Sequence, residues 1–533
     1  MTVTRVQLSR RHLLHSSLGG LALAGAVGLP RLVFGQGAPA VMISERQRIR
    51  APFGVQSGDV GDGRAIVWSK ADRPARMLVR WSTREDLADA RAVRPLHVLE
   101  DTDFTGKVEL TGLPDGERIF YEVRFLDLGD LQGLSEPVRG SFLTPPASRR
   151  RIRFLWSGDL AGQGYGINPD FGGFRIFRAM KALEPDFFVF SGDAIYADGP
   201  IPAEIRAADG SIWRNLVVPA KEQVAETLAD FRGNYAYNLM DENFRLFLAE
   251  VPVYAQWDDH EVTNNWYWEL RKDSDQRYKD GAVARLAARA MRAFHEYMPT
   301  RLHPLERDRI FESLRYGPSL ELFRIDLRSY RGPNTAGLET ALAPETRILG
   351  ERQVQWLKAA LKASRATWKV ICCDMPLGLI VWDNAKERRG SEAVAQGDPG
   401  APRGRELEIA DLLRYIRDED IRNIVWITAD VHYTAAHYYD PSKAVFKDFR
   451  PFWEFVSGPL NAGTFGPNEL DPTFGPQVVF QKAPPPGQAN LPPSAGMQFF
   501  GEIEIAPDSE TMTVRLRDLE GGILFSQELL PEV

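Results

Sequence analysis

Between residues 45 and 145 apolar and polar positions alternate in short runs. RAIVWSKA (64–71), RMLVRWST (76–83), TGKVELTGL (105–113) and RIFYEVRFL (118–126) are separated by turns such as GDGR and PDGE. Alternation with a period of two, bounded by glycine, aspartate and proline, predicts strands that each bury one face. Roughly seven such pieces in roughly a hundred residues predict an all-β, immunoglobulin- or fibronectin-like sandwich. TPPASRRR (144–151) breaks the pattern with proline and charge, and reads as a linker between domains.

Beyond the linker the pattern changes. IRFLW, FFVF and IVWIT are continuous apolar runs, which predict strands covered on both faces. Between them FGGFRIFRAMKAL (171–183), the segment 221–251, residues 279–299 and LGERQVQWLKAALKAS (349–364) read as helices. YGPSLELFRIDLRSYRG (316–332) and WKVICCDMP (368–376) add strands, and residues 498–529 predict an antiparallel set. QKAPPPGQANLPPSAG (481–496) is a proline-rich loop. Strands alternating with helices predict an α/β (α+β) domain over residues 150–533.

Composition narrows the partners. A chain of 533 residues, 44% hydrophobic and 26% charged, fits a globular protein of two or three domains. A net charge of −7, with no basic stripe interleaved with aromatics, gives no case for a nucleic-acid-binding module. Cys372 and Cys373 are adjacent in a predicted strand, so they point to opposite faces and are expected to be buried rather than bridged. Residues 1–40 read as an address: Arg10 and Arg11 precede the Gly/Ala-rich SSLGGLALAGAVGLP and the small-residue segment GQGAPA. That order predicts a twin-arginine signal peptide, the twin-arginine export machinery as a partner, and a periplasmic or secreted mature chain. The apolar run is too short for a span, so no stable membrane span is expected in the mature chain. Export in the folded state points to a cofactor loaded before transport.

The candidate chemistry sits where apolar strands end. FLWSGD ends at Asp159, FFVFSGD at Asp193, VYAQWDDHE at Asp258, Asp259 and His260, and IVWITADVH at Asp430 and His432. Side chains at the carboxyl ends of strands converge on one rim, and like charges gathered there call for a multivalent cation. A similar stretch, SGDV at 57–60, lies between an extended segment and a turn and is expected to stand apart from the site.

Together GDLAGQ, GDAIY, WDDHEVTNNW and ADVH, with PFGVQSGDV, DLRSYRG (326–332) and GERQVQWL (350–357), resemble the alkaline phosphatase D family of the calcineurin-like metallophosphatases. The resemblance runs over essentially the whole mature chain. It implies a four-layer β-sandwich of two mixed sheets flanked by helices, preceded by the all-β domain of residues 45–145. It also implies Asp159 on a first metal, Asp193 bridging two metals, and Tyr196 as a phenolate ligand of the first. Asp259 or Asn264 would serve the second metal, with Asp430 on the second and His432 on the first. His260 falls where the superfamily keeps its catalytic histidine. The family prototype carries a cysteine in the first motif, whereas SGDLAGQ has none. Asp159, with the GDxxY spacing of Asp193 and Tyr196, is similar to the purple acid phosphatases instead. Phenolate and carboxylate favour Fe3+ at the first position. The second ligand set is nearly all oxygen and favours Ca2+, with Zn2+, Mn2+ or Mg2+ as alternatives.

The function so implied is an exported alkaline phosphatase D type enzyme, hydrolysing phosphate esters through a metal-activated hydroxide. A phospholipase D-like phosphodiesterase on the same scaffold and a non-catalytic cell-envelope binding protein are the alternatives. Arg328 is expected either to bind substrate phosphate or to pair with a carboxylate. Asp258 is either a further ligand or a loop-fixing acceptor, and Asp198 a turn acceptor beside Gly199. His437 is expected to be structural, and NNWYWEL (264–270) either lines the cleft or packs the rim.

Overall fold

Two large sheets packed face to face carry the parallel strands of the chain. The computed structural model describes residues 48–130, 133–207 and 210–532. The leader expected over residues 1–40 lies outside the described residues. Residues from Arg48 onward form one compact unit.

The first sheet has nine strands. Its middle is the parallel trio Ile152–Ser157, Phe187–Ser191 and Val253–Gln256. On one side lie the antiparallel strands Phe499–Ile505, Met512–Asp518 and Ile523–Leu529, formed by the segment predicted as an antiparallel set. On the other side Val55–Gly61 pairs in parallel with Val253–Gln256, and Arg64–Lys70 and Thr105–Thr111 follow. Three strands of the alternating N-terminal region therefore complete the main sheet. The rest of that region, Ala75–Ser82, Arg118–Asp127 and Val138–Leu143 with two short strands, makes a separate five-stranded sheet. The two pack over a core that includes Val67, Met77, Tyr121 and Phe125.

The second large sheet has seven strands, in the order Glu312–Tyr316, Leu320–Arg324, Trp368–Cys372, Ile424–Thr428, Phe452–Val456, Thr434–Tyr439, Pro476–Lys482. The four from Leu320–Arg324 to Phe452–Val456 run parallel. The central strands are apolar on both faces because each face is covered. Phe154, Trp156, Phe187 and Val189 pack with Val370, Ile427 and Phe455 between the sheets. Leu155, Phe188 and Phe190 pack with the helices Ile176–Ala182, Leu228–Asn238, Glu242–Leu248 and Val283–Tyr297. Helices Glu351–Ala363 and Glu406–Asp418 cover the outer face of the seven-stranded sheet. The layers run helix, sheet, sheet, helix. Cys372 faces the core between the sheets and Cys373 the helix-side core; both are buried free thiols.

Candidate metal centre

The exits of the parallel strands from both sheets meet at one edge of this sandwich. Leu460 N donates to Gly158 O across 2.8 Å, and Trp156 Nε1 donates to Thr428 O across 3.2 Å, so the two sheets are stitched where they deliver their polar residues. Asp159, Asp193, Asp430 and His432 all adopt the left-handed backbone, with φ of 66°, 50°, 67° and 59°. A left-handed residue reverses the chain within one step and keeps its side chain near the strand end, and aspartate tolerates this region better than most residues. Gly458 leaves room for the result, since a Cβ there would overlap Asp159 Oδ2.

Three overlapping groups of ligating atoms follow: Asp159 with Asp193 and His432, Asp193 with Asp259 and His260, and Asp258 with Asp259 and Asp430. Within each group the ligating atoms all lie within 4.8 Å of one another. Asp193 and Asp259 each belong to two of the groups. The Tyr196 hydroxyl donates to His432 Nε2 at 2.7 Å, and His432 Nε2 lies 3.7 Å from Asp159 Oδ1. His432 Nδ1–H donates to Gly463 O, which fixes the tautomer and leaves Nε2 with its lone pair toward the cluster. Asn264 borders the same cavity as Asp193, Asp259, Asp430 and His432.

The electrostatics of this rim are those of a site built for positive charge. Both oxygens of Asp159, Oδ1 of Asp259 and Oδ2 of Asp258 are buried and find no hydrogen-bond donor of normal geometry among the described residues. Burial pushes the carboxyls of Asp159 and Asp193 well above the usual range, against the pull of His260, and Asp259 and Glu261 push the same way. Asp430 rises for the same first reason, with Glu392 adding and Arg328 opposing. Burial and then Asp193 raise the Tyr196 phenol far above its ordinary value, and burial lowers His432 to about 4, so its imidazole is neutral. Clustered carboxylates cost stability unless a cation pairs them, and these oxygens, with a neutral imidazole and a phenol, fit multivalent metal ions.

Around the ligands stands a supporting layer that sequence reasoning placed only in part. Asp198, expected to be a turn acceptor, accepts instead from His260 Nδ1 at 2.7 Å and from Asn264 N at 2.8 Å. Burial alone would raise its carboxyl, but His260 outweighs that and lowers it to about 2. Burial alone would lower His260, but Asp198, Asp259 and Asp193 outweigh it and raise the imidazole well above its ordinary value. His260 Nε2 stands 3.9 Å from Asp259 Oδ1, and its ring stacks on Tyr196 with centroids 4.3 Å apart. Glu261 escaped the sequence reading. Its carboxylate accepts from the backbone N–H groups of Asp193, Ala194 and Asp258 at 3.2, 2.7 and 2.8 Å, binding two strand exits together.

Of the two roles expected of Arg328, the structure shows the pairing with carboxylates and not the substrate contact. As a phosphate contact it would face the cavity, yet its side chain is completely buried beneath the rim. Nε donates to Asp258 Oδ1 at 2.6 Å and to Asp374 Oδ2 at 3.3 Å, Nη1 pairs with Glu392, and Nη2 lies 3.8 Å from Asp430. A guanidinium engaged by several carboxylates is a fixed internal counter-charge and is not available to substrate. Asp258 is thereby tied down through Oδ1. The aromatic run 264–270 divides: Trp266 is buried against Trp257, Trp268 is exposed, and Asn264 and Asn265 border the cavity. His437 pairs with Glu454 at 3.0 Å in the core, as expected of a structural histidine. The loop Gly458–Gly463, which supplies Gly463 O, follows a strand that the sequence reading did not place. Its only signal was the same grammar of an apolar run, FWEFV, followed by Ser-Gly.

Above the ligands opens a cavity of about 410 Å³, bordered by His260 and by Trp382, Asp383, Phe465 and Asn468.

Comparison with known proteins bears on the family and the fold. A family model described as PhoD-like phosphatase matches residues 154–516, and one described as its N-terminal domain matches residues 36–146. Alkaline phosphatase D of Bacillus subtilis (strain 168) is 25% identical over 448 residues, covering 78% of this chain and 70% of the relative. A solved structure of PhoD superposes with a TM-score of 0.65 at 19% identity, covering 90% of this chain and 89% of that one. A purple acid phosphatase from yellow lupin (Lupinus luteus) seeds shares the fold at a TM-score of 0.53 and 10% identity, covering 91% of this chain and 74% of that one.

Proposed function

The chain belongs to the PhoD-like phosphatase family, and from that premise we propose that it hydrolyses phosphate esters at a pair of metal ions held by the carboxylate rim. One observation carries the reading: Asp159, Asp193, Asp259, Asp430 and His432 meet from both sheets, and both oxygens of Asp159 and Oδ1 of Asp259 are buried without a donor among the described residues. Asp159, Asp193, Tyr196 and His432 suit Fe3+ at a first position. Asp193, Asp259, Asn264 and Asp430 suit Ca2+ at a second, being all oxygen donors. When bound, two such cations lower the pKa of a water and neutralise the phosphoryl oxygens during in-line displacement.

The remaining work belongs to side chains. Asp193, shared by two of the ligand groups, would supply a carboxylate to both positions. His260 borders the cavity with its Nδ1–H held by Asp198, which leaves Nε2–H to donate to the departing oxygen or to stabilise charge on it. Arg328 offsets part of the negative charge from below without competing for substrate. Arg10 and Arg11, ahead of an apolar run, support export of the chain to the periplasm or beyond.

The test is metal analysis of the purified chain alongside turnover of a phosphate monoester and a diester. The expected result is iron with a second metal, hydrolysis that chelation abolishes, and a visible Tyr196 phenolate-to-iron band that vanishes in Tyr196→Phe. A colourless, iron-free and fully active preparation overturns the iron assignment. A metal-loaded preparation inert toward both esters overturns the catalytic reading, and the ratio of the two rates separates phosphatase from phosphodiesterase.

A further inference from the structure

The cavity above the ligands has a wall whose composition the metal chemistry does not explain. Val381, Trp382, Asp383 and Ala385 form one side, and Phe465 and Asn468 the other. Among the described residues neither lysine nor arginine borders it. The two sides are built as one piece. Ile380 N donates to Glu469 O at 2.9 Å, Asn468 Nδ2 donates to Ile380 O at 3.0 Å, and Leu379 bridges to Leu470. Arg388 adds a two-pronged ion pair to Glu469, at 2.9 and 2.6 Å.

The indole of Trp382 is fixed within that wall. The Arg388 guanidinium lies over its ring, 5.5 Å from the centroid, and Gly397 packs so near its edge that a Cβ there would come within 3.3 Å. Two further contacts hold the neighbouring Asp383: Asn334 Nδ2 donates to Oδ1 at 3.0 Å, while Asn265 Nδ2 reaches its backbone carbonyl at 3.4 Å. The hairpin that carries both residues ends at Glu392, whose carboxylate is bound by the buried Arg328 and by Arg331. Arg328 also holds Asp258, so the wall and the ligand rim share one buried anchor.

From this arrangement we infer that the site selects phosphate esters whose leaving group presents a flat apolar body and carries no negative charge of its own. The inference rests on the phosphate-ester reading above. A transferred phosphoryl group is neutralised at the ligand rim. A second anionic group on the leaving side meets no lysine or arginine among the described residues that line the cavity; His260, the one basic group there with a free ring N–H, is held by Asp198 and aimed at the ester oxygen, while Asp383 repels the added charge. A flat apolar group meets Trp382 and Phe465, where stacking and burial favour it. The cations of the hairpin turn do not reverse this: Arg388 is taken by Glu469, Arg389 pairs with Glu387 at 3.2 Å, and Lys386 is not among the lining residues.

The test compares kcat/KM of the metal-loaded, full-length enzyme for phenyl phosphate, ethyl phosphate and ADP, in wild type, Trp382→Ala, Trp382→Phe and Asp383→Asn. Trp382→Ala is expected to lower the phenyl-to-ethyl ratio about tenfold, and Trp382→Phe to keep most of it. Asp383→Asn is expected to raise the ADP-to-phenyl ratio about threefold at low salt, with the gain shrinking as salt is added. Unequal aryl and alkyl reactivity cancels, because each variant is read against wild type. If Trp382→Ala and Trp382→Phe leave the phenyl-to-ethyl ratio unchanged, or wild type uses ADP as well as phenyl phosphate, the inference is overturned while the catalytic reading stands. If metal-loaded wild type hydrolyses none of the three esters, the catalytic reading itself falls.

Discussion

Ser-Gly-Asp occurs at 57–59, 157–159 and 191–193, and the backbone treats all three alike. Each aspartate is left-handed, with φ of 42°, 66° and 50°, and each is almost completely buried. The difference lies in what the carboxylates meet. Asp59 Oδ1 accepts from Arg324 Nη1 at 3.1 Å, and Oδ2 from Arg301 N at 2.6 Å. Both oxygens of Asp159 are left without a donor among the described residues, and Asp193 Oδ1 accepts from the backbone of His260 at 3.1 Å rather than from an arginine. One corner carries its own cation and fastens the N-terminal strands to the seven-stranded sheet. The other two leave their charge open, toward each other and toward His432. The tripeptide is thus a backbone device for placing a carboxylate at a strand end. Its chemistry is set by whether the fold also supplies an arginine.

The sharpest way to break the comparison is Asp193→Asn. Loss of the bridging carboxylate is expected to reduce turnover at least about a thousandfold and to empty both metal positions. The apo protein should be no less stable than wild type, because a costly buried carboxylate has gone. Elemental analysis, ester hydrolysis and denaturant unfolding report the three effects, and full metal occupancy in this variant would contradict the assignment. Asp59→Ala is expected to do the reverse. It removes the nearer of the two carboxylate partners of the buried Arg324, leaving Glu312 at 3.4 Å, so unfolding free energy should fall by about 1–3 kcal/mol, while turnover per folded molecule and metal content stay at wild-type values. If activity fell in proportion to metal loss, Asp59 would have to be counted with the site.

Much of this was legible before the structure, for a physical reason. Strands covered on both faces must be apolar throughout, so FLW, FFVF and IVWIT announce themselves, and the first polar residue after each marks the rim. Asp159, Asp193, Asp430 and His432 stood out on that ground, and their convergence is what the structure adds. Contacts with no local signature were not legible. Asp198 and His260 are 62 residues apart, and nothing in GDAIYADG distinguishes a turn acceptor from a histidine's partner. Arg328 has a side chain long enough to reach substrate or to turn inward, and only the buried carboxylates of Asp258, Asp374 and Glu392 decide the direction. The parallel pairing of Gly58 with Val253, which draws N-terminal strands into the main sheet, is equally silent in a pattern that reports burial but not partners. The helix Glu406–Asp418 is a different kind of miss. ELEIADLLRYIRD has helical spacing, and its buried Ile409, Leu412, Leu413 and Ile416 were there to be read.

A smaller effect tests the layer behind the open corners. Asp198→Asn keeps the shape of the side chain but removes the charge that holds His260. Turnover is expected to fall about 10- to 100-fold with metal content unchanged, the usual cost of losing a partner that orients a site residue. Steady-state kinetics beside metal analysis checks it. An equal fall in metal content would place Asp198 among the groups that hold the ions.

The smallest expected effect belongs to the closed corner and reads its electrostatics through pH. Lys107 lies on the strand Thr105–Thr111 and donates Nζ–H to Thr300 O at 2.9 Å. Burial lowers its ammonium from 10.5 to about 8, against the pull of Asp59 and Glu296. The unfolded chain therefore keeps this proton up to about pH 10.5, whereas the folded chain releases it near 8. Between those values the unfolded state binds more protons, so this group makes stability rise with pH, with a slope of at most about 1.4 kcal/mol per unit. Below pH 8 its contribution is a constant penalty. Lys107→Met is expected to flatten that window in unfolding curves taken from pH 8 to 10.5. Asp59→Asn, by removing an anion that favours the charged lysine, should start the rise at lower pH. Asp193→Asn should leave the Lys107 window alone. A pH slope that moved with Asp193 and not with Asp59 would mean that the two corners share one electrostatic field. A slope that moves only with Asp59 would mean that each aspartate acts on its own surroundings, the closed corner on the stability of the N-terminal strands and the open ones on the metal rim.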